Sequence, residues 1–195
     1  ASSSEMYGNQ PAPQNEDTPM IPRSPYGVSK LAAHRLARVY RESFGTFISC
    51  GICFNHESPR RGPEFVTRKI VQGLAAIKRG EISHVHLGDI HAKRDWGFAG
   101  DYVKAMWMML QLSLPDDYVI ATGISRTVLD FFEHAFALSD LPGRSSNYLI
   151  VDEQLGRPAE VFDLRGDAAK IQLGLGWKPE YTFQSLVKEM VEAEL

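Results

Sequence analysis

Apolar residues recur at helical spacing in several stretches of this chain, and short apolar or β-branched runs lie between them. The longest stretch predicts a helix over residues 24 to 44, because Ser24 can cap it, Pro25 suits its first turn and Gly45 offers a stop. Further helices are predicted around the stripes Val66, Ile70, Leu74 and Ile77; Val103, Met106, Trp107 and Leu110, with Asp101 as the cap; Val128, Phe131, Phe132 and Ala135; a short helix over 167–174; and Leu186, Val187 and Met190.

The runs between these helices predict strands over 47–54, 85–87, 118–121 and 148–151. A stretch rich in Gly, Ser and Pro at 139–147 is the best candidate for an internal linker. Strands that alternate with helices indicate an α/β fold with a mostly parallel sheet.

Composition narrows the class of protein. The chain has 195 residues, of which 44% are apolar and 23% charged, and its net charge is -3. These values predict a globular chain with an ample core, and they exclude disordered, collagen-like and disulfide-rich classes. No basic patch suggests a nucleic-acid partner, and no apolar run is long enough for a membrane span. The N-terminus lacks the pattern of a signal peptide, so a cytoplasmic location is expected.

Two short motifs are only weak evidence for a metal or redox site. Cys50 and Cys53 have a C-x-x-C spacing, but on a strand residues three apart point to opposite faces, so both are expected to be buried packing residues. His84 and His86 share one face of a short strand without an evident third ligand. No metal site is therefore predicted.

A tyrosine and a lysine one helical turn apart are the first candidate for catalysis. In Tyr-Gly-Val-Ser-Lys at 26–30, the ammonium of Lys30 would favour the phenolate form of Tyr26 by opposite charge. Upstream, Ser3 and Glu5 directly follow a presumed strand end, where open α/β sheets place their chemistry. Alone, the Tyr-Lys pair also fits an ordinary amphipathic helix with a lysine that reaches solvent. The residues by themselves therefore indicate only an α/β domain of the sugar-nucleotide or dehydrogenase kind.

The order Ser, Glu, Tyr, Lys resembles the extended short-chain dehydrogenase/reductases that modify nucleotide sugars. Four further strings make the chain similar to one family among them, the GDP-mannose 4,6-dehydratases. They are Asn-His-Glu-Ser-Pro-Arg-Arg-Gly-Pro at 55–63, Leu-Gly-Asp at 87–89, Arg-Asp-Trp-Gly at 94–97 and Arg-Pro-Ala-Glu-Val at 157–161.

The resemblance implies a dehydration that is internally redox-neutral, with NADP as cofactor. GDP-mannose would become GDP-4-keto-6-deoxy-mannose, the first step towards GDP-fucose and other GDP-deoxyhexoses. In the reaction, Tyr26 would take the proton of the C4 hydroxyl, Glu5 would take the C5 proton and help expel water, and Ser3 would bond the C4 oxygen.

The resemblance also implies which residues bind the cofactor and the substrate. Lys30 and Tyr26 would contact the nicotinamide ribose region, with His56 beside the nicotinamide and Arg61 on a cofactor phosphate, in a neighbouring subunit of a homo-oligomer. The substrate would meet residues spread along the rest of the chain: Asn55, Val66, Lys69, Arg94, Arg157 and Glu160.

The sequence departs from the family pattern in its organisation. No Gly-rich turn for dinucleotide phosphates is present, so residues 1–60 are expected to be the C-terminal part of a Rossmann-type NADP-binding domain. Residues 61–195 would form mainly a small α/β lobe for the GDP-sugar, with the strand near 118–122 returning to the Rossmann sheet. Alone, such a chain would lack a complete NADP site.

Other departures leave alternatives open. Asp89 stands where the family usually has Asn, and the segment over 138–157 is shorter than usual. The alternatives are another nucleotide-sugar dehydratase or epimerase, and a truncated, non-catalytic interaction module.

Overall fold

The computed structural model of the chain describes residues 1–155 and 161–195. Within that part, no helix has both the length and the apolar content that crossing a bilayer would need. The helices are α1 (Pro25–Phe44), α2 (Val66–Lys78), α3 (Ala99–Met109), α4 (Val128–Ala137), α5 (Ala169–Leu175) and α6 (Phe183–Glu192). The strands are β1 (Ser2–Ser3), β2 (Cys50–Cys53), β3 (Asn55–Glu57), β4 (Val85–Leu87), β5 (Lys93–Phe98), β6 (Asp117–Ile120), β7 (Ser125–Thr127), β8 (Leu149–Val151) and β9 (Asp163–Leu164).

The first lobe is built on a parallel sheet in the order β1-β2-β6. Ser3 pairs with Cys53, and Cys53 pairs with Ile120, so the carboxyl ends of the three strands lie side by side. Helix α3 packs closely on this sheet. A Cβ atom added at Gly51 would lie 3.7 Å from the Met109 side chain. The predicted α/β class with parallel strands is confirmed.

The second lobe has a mixed sheet centred on β5. This strand runs parallel to β3 and β9 and antiparallel to β7, while β4 and β8 form a separate parallel pair. Helices α2, α4 and α6 bury their apolar faces in one shared core. Trp96 of β5 meets Phe131 of α4 edge to face, with ring centroids 5.5 Å apart.

The prediction for α3 identified the helix but not its buried face. Val103, Trp107 and Leu110 are exposed, at 62%, 64% and 57%, whereas Tyr102 and Met109 are buried. The helix carries apolar residues on two faces, and periodicity cannot tell which face meets the sheet.

The cap predicted for α3 was also wrong. The helix begins at Ala99, and Asp101 lies buried within its first turn. The Asp101 carboxylate instead accepts hydrogen bonds from the backbone N–H groups of Glu180 and Tyr181, each at 3.0 Å. Asp101 thus ties the C-terminal segment to the first lobe.

The strand predicted over 47–54 begins later and is followed by another strand. Regular pairing starts at Cys50, and residues Asn55–Glu57, expected to be a loop, form β3 of the second sheet. Strands β5, β7 and β9 are not predicted from the sequence, because their polar residues lack a strand pattern. Both cysteines are buried free thiols, as predicted.

Candidate functional site

Ser3 and Glu5 lie where β1 ends, at the carboxyl edge of the first sheet. The backbone turns there into a short 3-10 helix over Ser4–Met6. The Ser3 hydroxyl caps that turn by accepting a hydrogen bond from the Glu5 N–H at 3.2 Å. Ser3 is buried and Glu5 half-buried, so the turn brings a hydroxyl and a carboxylate to the same strand end.

The first turn of α1 packs directly against this strand end. Ser24 caps the helix by accepting a hydrogen bond from the Gly27 N–H at 3.0 Å. A Cβ at Gly27 would lie 2.7 Å from the carbonyl oxygen of Glu5, so only glycine permits this approach. The backbone that carries Glu5 is therefore next to the turn that carries Tyr26.

Tyr26 and Lys30 share one face of α1. The Lys30 ammonium lies 6.0 Å from the centre of the Tyr26 ring and donates a hydrogen bond to the Ala1 carbonyl at 2.7 Å. The Tyr26 side chain is 56% exposed, so its hydroxyl is accessible to a ligand. The strand end that carries Ser3 and Glu5 therefore lies next to the helix turn that carries Tyr26, with Lys30 on the same face of the helix.

Asn55 and His56 extend the same edge at the start of β3. The His56 ring stacks on Tyr102, with centroids 5.1 Å apart, and its Nδ1 lies 2.9 Å from the Phe54 carbonyl oxygen. Burial lowers the pKa of His56. Since a carbonyl only accepts hydrogen bonds, Nδ1 carries the proton, and the neutral ring keeps an acceptor at Nε2.

A buried carboxylate that sequence analysis missed follows directly. Glu57, the last residue of β3, is 1% exposed, and its Oε2 accepts a hydrogen bond from the Thr67 hydroxyl at 2.6 Å. Arg61 Nε lies 3.1 Å from the same oxygen, as an ion pair without the alignment of a hydrogen bond. The Arg61 guanidinium also lies 3.5 Å over the Phe65 ring.

The predicted substrate residues are less close together. Val66 and Lys69 occupy the first turn of α2, and Arg94 is a buried residue of β5. One terminal nitrogen of Arg94 donates to the carbonyls of Lys93 and Val161, at 2.8 and 2.7 Å. Arg157 and Glu160 lie outside the described residues.

A cavity of about 380 Å³ opens beside the second lobe, between the loop after β4 and the end of β8. Its lining includes Asp89, whose Oδ1 accepts a hydrogen bond from the His91 N–H at 2.8 Å. Ile90 and Val151 contribute apolar surface, and Glu153 adds a second carboxylate. The lining therefore combines carboxylate acceptors with apolar surface.

A second polar cluster lies at the other end of the first sheet. His34, Cys50 and Asp117 bring potential metal ligands within 4.8 Å of one another. However, both Asp117 oxygens accept hydrogen bonds from Arg41, at 2.8 and 3.1 Å. This guanidinium already satisfies the carboxylate and would repel a cation, so we assign no metal to the cluster.

Comparison with known proteins identifies the family. The model of the GDP-mannose 4,6-dehydratase family matches residues 1–190. GDP-mannose 4,6 dehydratase 2 of Arabidopsis thaliana is 53% identical over the whole chain, and the human GDP-mannose 4,6 dehydratase is 46% identical. The chain spans about half the length of these curated relatives, 52% and 57% respectively.

A solved structure shows the same fold. RMD from Pseudomonas aeruginosa, determined with NADPH, superposes with a TM-score of 0.90 over 99% of this chain and 64% of its own, at 26% identity. The resemblance inferred from the motifs is confirmed by these matches, and this chain belongs to the GDP-mannose 4,6-dehydratase family.

Proposed function

We propose that this chain carries the catalytic residues of an NADP-dependent GDP-mannose 4,6-dehydratase. The observation that supports this most is the approach of the Glu5 backbone to the first turn of α1. That approach brings the backbone of Glu5 next to the helix turn that carries Tyr26, and a coupled oxidation and elimination would need a carboxylate near a tyrosine and lysine of this kind.

The residues present fit a nicotinamide dinucleotide phosphate. Lys30 and the accessible Tyr26 offer a cation and a hydroxyl at the sheet edge, and the neutral His56 ring, which stacks on Tyr102, would lie beside the nicotinamide. Arg61 would hold a phosphate, in a neighbouring copy of a homo-oligomer. When bound, such a cofactor would supply reversible hydride transfer, from C4 of the sugar and back to C6.

Tyr26 and Lys30 serve the oxidation. Tyr26 as phenolate takes the proton from the C4 hydroxyl, and Lys30 stabilises the negative charge before that transfer. The Ser3 hydroxyl bonds the C4 oxygen as it becomes a carbonyl. The resulting 4-keto group makes the C5 proton acidic.

Glu5 serves the elimination. Its carboxylate takes the C5 proton and passes it to the C6 hydroxyl, which leaves as water. As C6 is reduced, Tyr26 would give its proton to C5 and become a phenolate again. The sum is loss of one water and no net oxidation, so both groups end in their starting states.

The second lobe supplies substrate binding in this proposal. Arg94 and Arg157 receive the diphosphate, Val66 and Lys69 contact it from the start of α2, and Asn55 contacts the sugar. Glu160 bonds ribose hydroxyls. The base enters the cavity at Asp89, where a carboxylate can accept both the N1–H and the N2–H of guanine.

Turnover of GDP-mannose by variants tests this assignment. The protein expressed from the whole reading frame that contains these residues should form the 4-keto product. Tyr26→Phe and Glu5→Gln should each lower turnover by about two to four orders of magnitude, the scale of a lost general base. Single-turnover absorbance of reduced nicotinamide separates them: Tyr26→Phe forms none, whereas Glu5→Gln accumulates it.

Tyr40→Phe is the matched control, because Tyr40 is another exposed tyrosine of α1. It should leave turnover unchanged. Normal turnover by Glu5→Gln with loss in Tyr26→Phe would favour an epimerase that needs only Tyr26 and Lys30. A wild-type protein with no turnover of any nucleotide sugar would favour a non-catalytic module.

A further inference from the structure

The loop between β3 and α2 is fixed by one buried carboxylate. Glu57 precedes this loop, Arg61 lies within it and Thr67 follows it, yet all three meet at the Glu57 Oε2 atom. Both ends of the loop are therefore tied to one point. A pair of tight turns, from Arg61 N–H to Ser58 O and from Phe65 N–H to Gly62 O, shapes the segment between them.

This arrangement orients the Arg61 guanidinium. Glu57 faces its Nε, and the Phe65 ring covers one of its flat sides. Within residues 1–155 and 161–195, its terminal nitrogens have no hydrogen-bond partner, and they are not among the buried unpaired atoms. The side chain keeps 22% of its surface exposed. One side of the guanidinium is thus fixed, and its terminal N–H groups remain free to bind an anion.

A buried ionised carboxylate is costly for the fold. Burial raises the pKa of Glu57 to about 7, and the Arg61 charge and the Thr67 hydrogen bond offset that rise only in part. A glutamine of the same shape would accept the Thr67 hydrogen bond without carrying a charge. The negative charge of Glu57 therefore matters mainly for its interaction with Arg61.

We propose that Glu57 is a positioning residue that holds Arg61 ready to bind the phosphate of the dinucleotide and fixes, through Thr67, the first turn of α2. The inference rests on the proposed function for the identity of the anion. It adds a buried residue that acts through its neighbours: through Arg61 on the cofactor of a neighbouring copy, and through Thr67 on the start of α2, which carries Val66 and Lys69 of its own copy.

A double-mutant cycle on NADP binding tests the proposal, using the protein from the whole reading frame at pH 8. Glu57→Gln should weaken NADP binding about tenfold, within the range for directly coupled neighbours. In an Arg61→Ala background, the same substitution should change the dissociation constant less than about twofold, because Glu57 acts through Arg61. Equal effects in both backgrounds would overturn the proposal.

Asp101→Asn is the control, because Asp101 is another buried carboxylate of the chain with backbone N–H partners. It should lower thermal stability and leave NADP affinity unchanged. If Asp101→Asn weakened NADP binding as much as Glu57→Gln, Glu57 would be merely structural. A second variant, Thr67→Val, should raise the KM for GDP-mannose more than it weakens NADP binding.

These outcomes are distinct from those that test the activity. A wild-type protein that binds NADP and dehydrates GDP-mannose, with Glu57→Gln binding NADP like wild type, rejects the positioning role alone. A wild-type protein that neither binds NADP nor turns over the sugar rejects the proposed function, and the positioning role with it.

Discussion

Helices α1 and α2 both have amphipathic sequences, yet the structure holds them in opposite ways. The 13 residues of α2 include six that are buried, whereas the buried residues among the 20 of α1 are Gly27 and His34. Apolar residues of α1 such as Leu36 and Val39 are half exposed or more. An apolar face positions α2, but something else positions α1.

Polar contacts and one close backbone approach position α1. His34 Nδ1 lies 2.9 Å from the Ser2 hydroxyl, Arg41 binds Asp117, and Gly27 touches Glu5. Each of these contacts depends on the relative positions of a few atoms rather than on the area of apolar surface that is buried. The helix that carries Tyr26 and Lys30 is therefore held at specific points, which sets the distance from Tyr26 to the strand end.

The largest expected difference between the two helices is the cost of removing a leucine. Leu74 of α2 is 1% exposed, so Leu74→Ala should lower the free energy of unfolding by about 3 kcal/mol, the usual cost of a core cavity. Leu36 of α1 is 57% exposed, so Leu36→Ala should change it by less than about 0.5 kcal/mol.

Urea unfolding of the two variants measures both values. An equally large loss for Leu36→Ala would contradict the contrast and would mean that a second surface covers α1 in solution.

The start of α2 should also show a pH dependence that follows from Glu57. Its pKa is raised from 4.5 to about 7, so between these values the folded state holds a proton that the unfolded state has released. Stability therefore falls as pH rises through this window, by about 2 to 3 kcal/mol if Glu57 acts alone.

Glu57→Gln should remove that part of the pH dependence, which thermal unfolding at pH 5 and pH 8 measures. Glu42→Gln, at an exposed position of α1, should keep the wild-type profile. A Glu57→Gln profile that matches wild type would show that the carboxylate is not buried as described.

The sequence predicts the helices, the parallel class and the Tyr26-Lys30 face well, because each depends on local periodicity or on spacing within one helix. It does not predict the burial of Glu57. From the sequence around residue 57, a glutamate would be expected to face solvent. Its burial depends on Thr67, which lies in the next helix, and on the pairing of β3 with β5. Only the fold determines such contacts between elements.

The same limit explains the error in α3. Val103, Trp107 and Leu110 form an apolar stripe as regular as the buried one on the same helix. Which of the two stripes is buried depends on which side of α3 faces Gly51 of the first sheet. Glycine carries no hydrophobic signal, so the sequence pattern gives no hint of where the helix packs.

The smallest of the expected losses of stability, after those of Leu74→Ala and of Glu57 ionisation, tests the close approach that positions α1. Gly27→Ala places a Cβ 2.7 Å from the Glu5 carbonyl oxygen and 3.0 Å from the Pro22 Cβ, so the helix start must move away from the strand end. Overpacking of this kind costs about 2 kcal/mol, and the higher helix propensity of alanine offsets about 1 kcal/mol of that cost, so the net loss of stability is about 1 kcal/mol.

Gly174→Ala is the matched control, because Gly174 is also helical and has no atom near its Cβ position. It should stabilise the chain by about 0.5 to 1 kcal/mol, so the two alanines should move the urea midpoint in opposite directions. Turnover should separate them further, since moving Tyr26 by even about 1 Å from its partners can cost about a hundredfold in rate. A Gly27→Ala protein with full turnover and raised stability would show that the distance between α1 and the strand end is not what orients Tyr26 towards Glu5.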